Sequence, residues 1–198
     1  MGVSETTFCD VPLLTAPGRV MTPRPATEEL VAAAAARIRG RPARVADVGT
    51  GSGAIAVNLA RLAPNAEVWA SDVSAAAVLL ARANAHRFGV GDRVHVRRGD
   101  LLEAVPGQLD LVVANLPYLP EAERRHYPDL AAEPDEAVFA PGDGLDPYRR
   151  LLRSAEEKLL PAGAVMIQLH RRLVVAERDE LAALRTRLGG LVPESVAA

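Results

Sequence analysis

Cysteine is nearly absent from this chain. Cys9 is the only one in 198 residues, so no disulfide can close within the chain and a thiolate metal cluster lacks its ligands. His86, His95, His126 and His170 fall at no metal-ligand spacing. Lysine is almost missing as well. Lys158 is the only one among 23 basic residues, and with the alanine runs this reads as a GC-rich coding bias, not a nucleic-acid code. Aromatic residues are only 4% of the chain, too few for a base-stacking platform. Neither sign of charge dominates: the formal net charge is −2, so no global field gathers polyanions. No stretch reaches the roughly 18 uninterrupted apolar residues of a membrane span. The opening Met-Gly-Val-Ser-Glu has no basic start followed by an apolar run, so no signal peptide is expected and the expected compartment is the cytoplasm.

What is present suits one ordinary domain: 49% hydrophobic and 24% charged residues, too apolar for a disordered chain. Residues 1–25 are expected to form an N-terminal arm or hairpin, because Pro12, Pro17-Gly18, Pro23 and Pro25 punctuate them. Residues 26–198 are the expected catalytic-sized domain. Thr27 is placed to cap a helix over 27–39, with Glu28 and Glu29 in its first turn. Strands are expected at 44–48, 67–70, 93–96, 109–114 and 164–169. Helices are expected at 54–62, at 75–88 behind a Ser74 cap, at 146–159 and at 174–188, with a long polar loop reaching to about Gly144. Such alternation implies right-handed crossovers and an α/β fold: a doubly wound, mostly parallel sheet covered on both faces.

In sheets of this kind the ligand lies beyond the carboxyl ends of the strands. Those ends carry Gly49 to Gly53, Asp72, Asp100 and Asn115, four polar or glycine signals that should converge on one crevice. In Gly49-Thr50-Gly51-Ser52-Gly53 the glycines allow a sharp turn and a close approach of backbone to ligand, and amides of the following helix can hold an anion. The stretch also fits a loose G-x-G-x-x-A, so a dinucleotide is one reading and a bare strand-to-helix turn another. Asp72 can accept both hydroxyls of a ribose, or simply sit as an acid at a helix start. Asp100 can accept from an adenine amino group or be a solvated turn residue, and Leu101 can touch an adenine face or pack in the core. Asp47, inside the first strand of this series, would be buried, with loop amides as its expected donors.

Asn115-Leu116-Pro117-Tyr118 narrows the chemistry. It follows a buried strand and resembles the N-P-P-Y motif of S-adenosylmethionine-dependent methyltransferases that act on planar amino groups. In that family the Asn and the next carbonyl accept hydrogen bonds from the target NH2, and the Tyr packs on its planar group. An amide nitrogen is a poor nucleophile because its lone pair is delocalised. The site must therefore hold it in line with the methyl-sulfonium bond and accept its N–H groups as charge builds. Asn115 supplies a neutral acceptor, Pro117 keeps Leu116 extended with its carbonyl outside any helix, and Tyr118 supplies a flat face.

The resemblance extends along the chain. Thr22-Pro23-Arg24-Pro25-Ala26-Thr27-Glu28 looks like the P-R-P-E-T-E signature of the HemK/PrmC family, protein-glutamine methyltransferases that modify peptide-chain release factors. Residues 48–56 are similar to its cofactor loop. Glu133-Pro134, Ala137, Asp143-Gly144-Leu145-Asp146 and Tyr148-Arg149 resemble its E-P-x-x-A…D-G-L-D-x-Y-R stretch. The resemblance implies a class I S-adenosylmethionine-dependent methyltransferase fold, S-adenosylmethionine as donor and a glutamine side-chain nitrogen as acceptor. It implies that Gly49 to Gly53, Asp72, Leu101 and Asn115 line the cofactor and that Asn115, Leu116, Pro117 and Tyr118 hold the amide. A protein substrate, such as a release factor, is the implied partner. The chain departs from the signatures at Ala26 (acidic in the family), at Leu116 (proline), at Ala140-Pro141 (Gly-Gly) and at Gln168-Leu169-His170 (Glu-Ile-Gly). No counterpart of the family's N-terminal helical domain is expected in these residues.

Asn-Leu-Pro-Tyr also resembles the motif of RNA adenine dimethylases, so an adenine N6-methyltransferase acting on RNA or DNA is an alternative. A non-catalytic cofactor-binding protein is another. Charge weighs against nucleic acid. Glu121, Glu123, Asp129, Glu133, Asp135, Glu136, Asp143 and Asp146 outnumber Arg124 and Arg125 beside the expected acceptor site, where phosphates would need basic contacts.

Overall fold

A computed structural model describes residues 2–170 and 172–191. The arm expected at the start is a hairpin, β1 (Ser4–Phe8) and β2 (Val11–Thr15). Cys9 and Asp10 turn it with φ of 48° and 59°, the mirror-image turn geometry that matches strand twist. The hairpin is built into the molecule: Phe8, Val11 and Leu13 are buried in the core, and the Asn84 side chain both accepts from Leu14 N–H and donates to the Leu14 carbonyl, each at 2.9 Å.

Behind it run α1 (Glu28–Ile38), β3 (Ala43–Val48), α2 (Ala54–Leu62), β4 (Ala66–Asp72), α3 (Ala75–Arg87), β5 (Val94–Arg98) and β6 (Leu109–Ala114). Then come the two-residue strands β7 (Leu119–Pro120) and β8 (Phe139–Ala140), with α4 (Asp135–Val138) between them. The chain continues with α5 (Asp146–Lys158), β9 (Leu159–Leu169), β10 (Arg172–Glu177) and α6 (Leu181–Arg187). The main sheet has the order β10-β9-β6-β3-β4-β5, parallel except for β10. One face packs against α1, α2, α3 and the hairpin. The other packs against α5 and α6 around Tyr148, Leu151 and Leu152. Neighbours of β3 lead outward in both directions, to β4 and to β6, so a crevice opens at its carboxyl end.

Three expectations need correction. Thr27 makes no side-chain cap; a 3-10 turn of Pro25–Thr27 leads into α1, and the Thr27 hydroxyl is used elsewhere. The helix expected over 174–188 starts late. Val174, Val175 and Ala176 pair antiparallel with Ile167, Met166 and Val165, because an open sheet edge offers β-branched residues a ladder that a helix cannot. A reciprocal Glu177–Glu180 capping box then starts the 3-10 turn that runs into α6. Finally, the loop before Gly144 is organised: Leu119, Val138 and Phe139 form a small core with Tyr127 and Leu130 against it.

Candidate active site

The glycine loop is held from beneath. Asp47, the next-to-last residue of β3, is fully buried, and its Oδ2 accepts from the Thr50 hydroxyl at 2.6 Å and from Ala56 N–H at 3.0 Å. Its Oδ1 has no partner among the described residues, and burial pushes the carboxyl up to about 7. Gly49 and Thr50 donate to the Ser71 carbonyl at 2.9 and 3.0 Å, which ties the loop to β4. Gly49 has φ of 71°, the conformation that requires glycine there, and an added Cβ would press on the terminal methyl of Leu116 at 2.6 Å. Asp72 closes the turn: its Oδ2 accepts from Gly51 N–H and its Oδ1 from Ser74 N–H, both at 2.9 Å. Burial raises its pKa against those bonds.

Above the loop lies a cavity of about 250 Å³. Gly49 to Ser52, Asp72, Asp100, Leu101 and Asn115 to Pro117 all line it, so the expected convergence of strand ends occurs; Gly53 lies just behind at the start of α2. Asp100 is ion-paired with Arg150. Leu101 sits in the left-handed region with φ of 48°, and its carbonyl accepts the Ser71 hydroxyl at 2.7 Å. The roof is the segment Val20 to Arg24. It is held down by Glu133, which accepts from Thr22 N–H and from the Arg24 guanidinium, each at 3.0 Å.

The Asn115–Tyr118 bend is fixed from three sides. Asn115 Nδ2 donates to the Thr27 hydroxyl at 3.0 Å, which leaves Oδ1 as the free acceptor of that carboxamide. The fully buried Tyr148 hydroxyl accepts from Leu116 N–H at 2.9 Å and lies 2.7 Å from the Gln168 carbonyl and 3.0 Å from that of Leu116. Gly144, with φ of 80°, abuts the Tyr118 carbonyl where no Cβ could fit. Just before it, Asp143 accepts from Leu145 N–H and pairs with Arg149, which holds its carboxyl down at about 2.

On the far side of the bend is a second chamber of about 460 Å³. Tyr118, Tyr127, Asp129, Gln168 and His170 contribute to its walls. The two chambers share Met21, Arg24, Thr27, Asn115, Leu116, Pro117 and Ala137. The His170 ring packs on Tyr118 with centroids 4.6 Å apart. Tyr148, Gln168 and His170, and the side-chain role of Thr27, were missed by pattern reasoning. Tyr148 sits inside the D-G-L-D-x-Y-R stretch, which was its only signal. Among the described residues no group of His, Cys, Asp and Glu could hold a metal ion, and no helix is long and apolar enough to cross a membrane.

Residues 25–128 match the family described as Methyltransferase small domain. The chain is 46% identical over 154 residues to the release factor glutamine methyltransferase of Bordetella pertussis, covering 75% of this chain and 56% of that one. It is 42% identical over 161 residues to the enzyme of the same name from Deinococcus radiodurans, covering 80% and 57%. The chain thus spans a little over half the length of these curated relatives. A ribosomal protein L11 methylase from Lactobacillus delbrueckii subsp. bulgaricus superposes with a TM-score of 0.55 at 26% identity, over 77% of this chain and 64% of that one. The 16S rRNA N2 G1207 methyltransferase of T. thermophilus, solved with AdoMet and guanosine, shares the fold with a TM-score of 0.60 at 20% identity, over 84% and 41%. The architecture is the Rossmann-like fold of class I methyltransferases.

Proposed function

The chain belongs to the methyltransferase small domain family and is a homologue of the release factor glutamine methyltransferases, and from that premise we propose that it N-methylates a glutamine side-chain amide of a protein, such as a peptide-chain release factor, from S-adenosylmethionine. One observation carries the reading: two chambers meet at Asn115, Leu116 and Pro117. A donor in one and an acceptor in the other would face each other across the bend.

The first cavity fits the donor. Each Asp72 oxygen accepts one backbone N–H and keeps capacity for a ribose hydroxyl. Val20, Val73, Ala77 and Leu101 give an apolar slot for a purine, and Asp100, beside Arg150, stands at its edge. The Gly49–Gly53 backbone passes close enough for a ligand to lie on it. When bound, S-adenosylmethionine supplies an electrophilic methyl on a sulfonium.

The chain supplies position and acceptors. Asn115 Oδ1 and the Leu116 carbonyl accept the two N–H groups of the amide, which turns the nitrogen lone pair toward the donor chamber. Tyr118 gives the amide a flat wall. The nearest alternative, an RNA adenine, fits the same acceptors. It fits the surroundings less well, because eight acids against two arginines lie between Pro120 and Pro147, and one of them, Asp129, lines the second chamber, where phosphates would need basic contacts. Methyl-labelled donor incubated with the protein and either a release factor or RNA separates the two. Label on a release-factor glutamine is expected; label only in RNA would reverse the assignment.

A further inference from the structure

The turn after β9 keeps a histidine in a conformation that suits glycine. His170 has φ of 52°, where the Cβ of an L-residue crowds the following carbonyl. Glycine would make the same turn without that cost, and glycine stands at this place in the Glu-Ile-Gly signature from which the chain departs. Strain of this kind persists only where the surroundings over-determine it, and it gathers at functional sites. The imidazole therefore answers to something other than the turn.

The surroundings show what that is. Gln168 is 2% exposed, and its Nε2 donates to the His170 carbonyl at 2.9 Å, which ties the turn to the end of β9. The His170 ring then lies against Tyr118, with centroids 4.6 Å apart and planes tilted by 48°. Burial lowers the His170 pKa, so the ring is uncharged at neutral pH. Among the described residues no other aromatic ring stacks on Tyr118. The Tyr118 backbone is fixed by Gly144, but its ring sits at the seam between the main core and the small core of Leu119, Val138 and Phe139. The ring torsion of a tyrosine has a broad well, so a ring at such a seam swings unless a neighbour holds it.

We propose that His170 is a positioning residue for the acceptor: its ring braces Tyr118 in the orientation on which the acceptor amide lies, and Gln168 holds the turn that presents it. An amide nitrogen reacts only when it is kept in line with the methyl group, so a loose wall costs turnover and leaves the donor cavity untouched. The inference rests on the glutamine reading above and adds a residue that acts on the acceptor through Tyr118.

The test uses the full chain, labelled S-adenosylmethionine and a release factor as acceptor. His170→Asn removes the ring and tolerates the left-handed turn; His170→Gly does the same with a freer backbone; His170→Phe keeps a ring. The Asn and Gly variants should lose about tenfold in kcat. Their S-adenosylhomocysteine affinity and urea midpoints should stay near those of the wild type, because relief of the strained turn offsets the lost stack. His170→Phe should recover most of the rate. A second readout is independent of methyl transfer. Fluorotyrosine incorporation labels Tyr118, Tyr127 and Tyr148, the three tyrosines of the chain, and the resonance missing from Tyr118→Phe belongs to Tyr118. That resonance should broaden in His170→Asn and stay narrow in His170→Phe. A narrow resonance and wild-type kcat in His170→Asn overturn the brace and leave the glutamine reading intact. A broadened resonance, with no label on a release factor even from the wild type, overturns the glutamine reading and leaves the brace. Turnover, donor affinity and urea midpoint falling together, with His170→Phe no better, would show that His170 supports only the fold, and would overturn the proposal.

Discussion

The side-chain amide of Asn115 donates to the hydroxyl of Thr27 at 3.0 Å, joining residues 88 apart in the chain. This bond sets which end of the carboxamide faces the chambers. Thr27→Val keeps the shape and removes the acceptor, so Asn115 is free to rotate. The expected result is a kcat about tenfold lower with donor affinity unchanged, a loss typical of one misdirected hydrogen bond. Thr27→Ser should restore most of the rate.

Tyr148 carries the bend from below through a single buried hydroxyl. Tyr148→Phe leaves the Leu116 N–H and the Gln168 carbonyl unsatisfied in a dry interior. Chemical denaturation should show a loss of about 1–3 kcal/mol. Methyl transfer should fall as well, since Leu116 is no longer pinned.

Gly144 stands against the Tyr118 carbonyl in a left-handed conformation. Gly144→Ala should cost about 1–2 kcal/mol from φ alone, with the collision added to it. The displaced bend should lose acceptor turnover while donor binding in the first cavity survives; loss of both together would mean the two chambers are not separately built.

Asp47 gives a pH signature. Burial lifts its carboxyl to about 7, above its ordinary value near 4. Between those values the folded protein keeps a proton that the unfolded chain has released. Stability therefore falls as pH rises from about 4 to about 7 and levels off above. Asp47→Asn should flatten that slope, by on the order of 4 kcal/mol across the window. Urea midpoints measured at pH 5 and pH 8 check it.

Much of this architecture is legible in the sequence. Strand ends at Val48, Asp72 and Ala114 were legible because buried parallel strands are short apolar runs stopped by polar or glycine residues, and three such stops fell where a ligand crevice must open. The acceptor bend was legible because Pro117 constrains its neighbour. What escaped notice depends on distant pairing. Val174 to Ala176 form a strand only because β9 offers an edge, and helical spacing downstream hid it. Thr27 looked like a helix cap because local sequence shows only local partners, whereas its hydroxyl meets Asn115. Gln168 and His170 lie at the end of an apolar strand, and nothing in their spacing shows that they border a chamber.

The central claim is a division of labour across one bend, with Asp72 on the donor side and Asn115 on the acceptor side. Calorimetric titration of S-adenosylmethionine into the wild type, Asp72→Ala and Asn115→Ala, paired with labelled transfer to a release factor, tests it most directly. Asp72→Ala should bind the donor at least about tenfold more weakly. Asn115→Ala should bind it nearly as the wild type does, yet transfer about 10²–10³-fold more slowly. Donor affinity unchanged in Asp72→Ala, or full transfer by Asn115→Ala, would contradict the account.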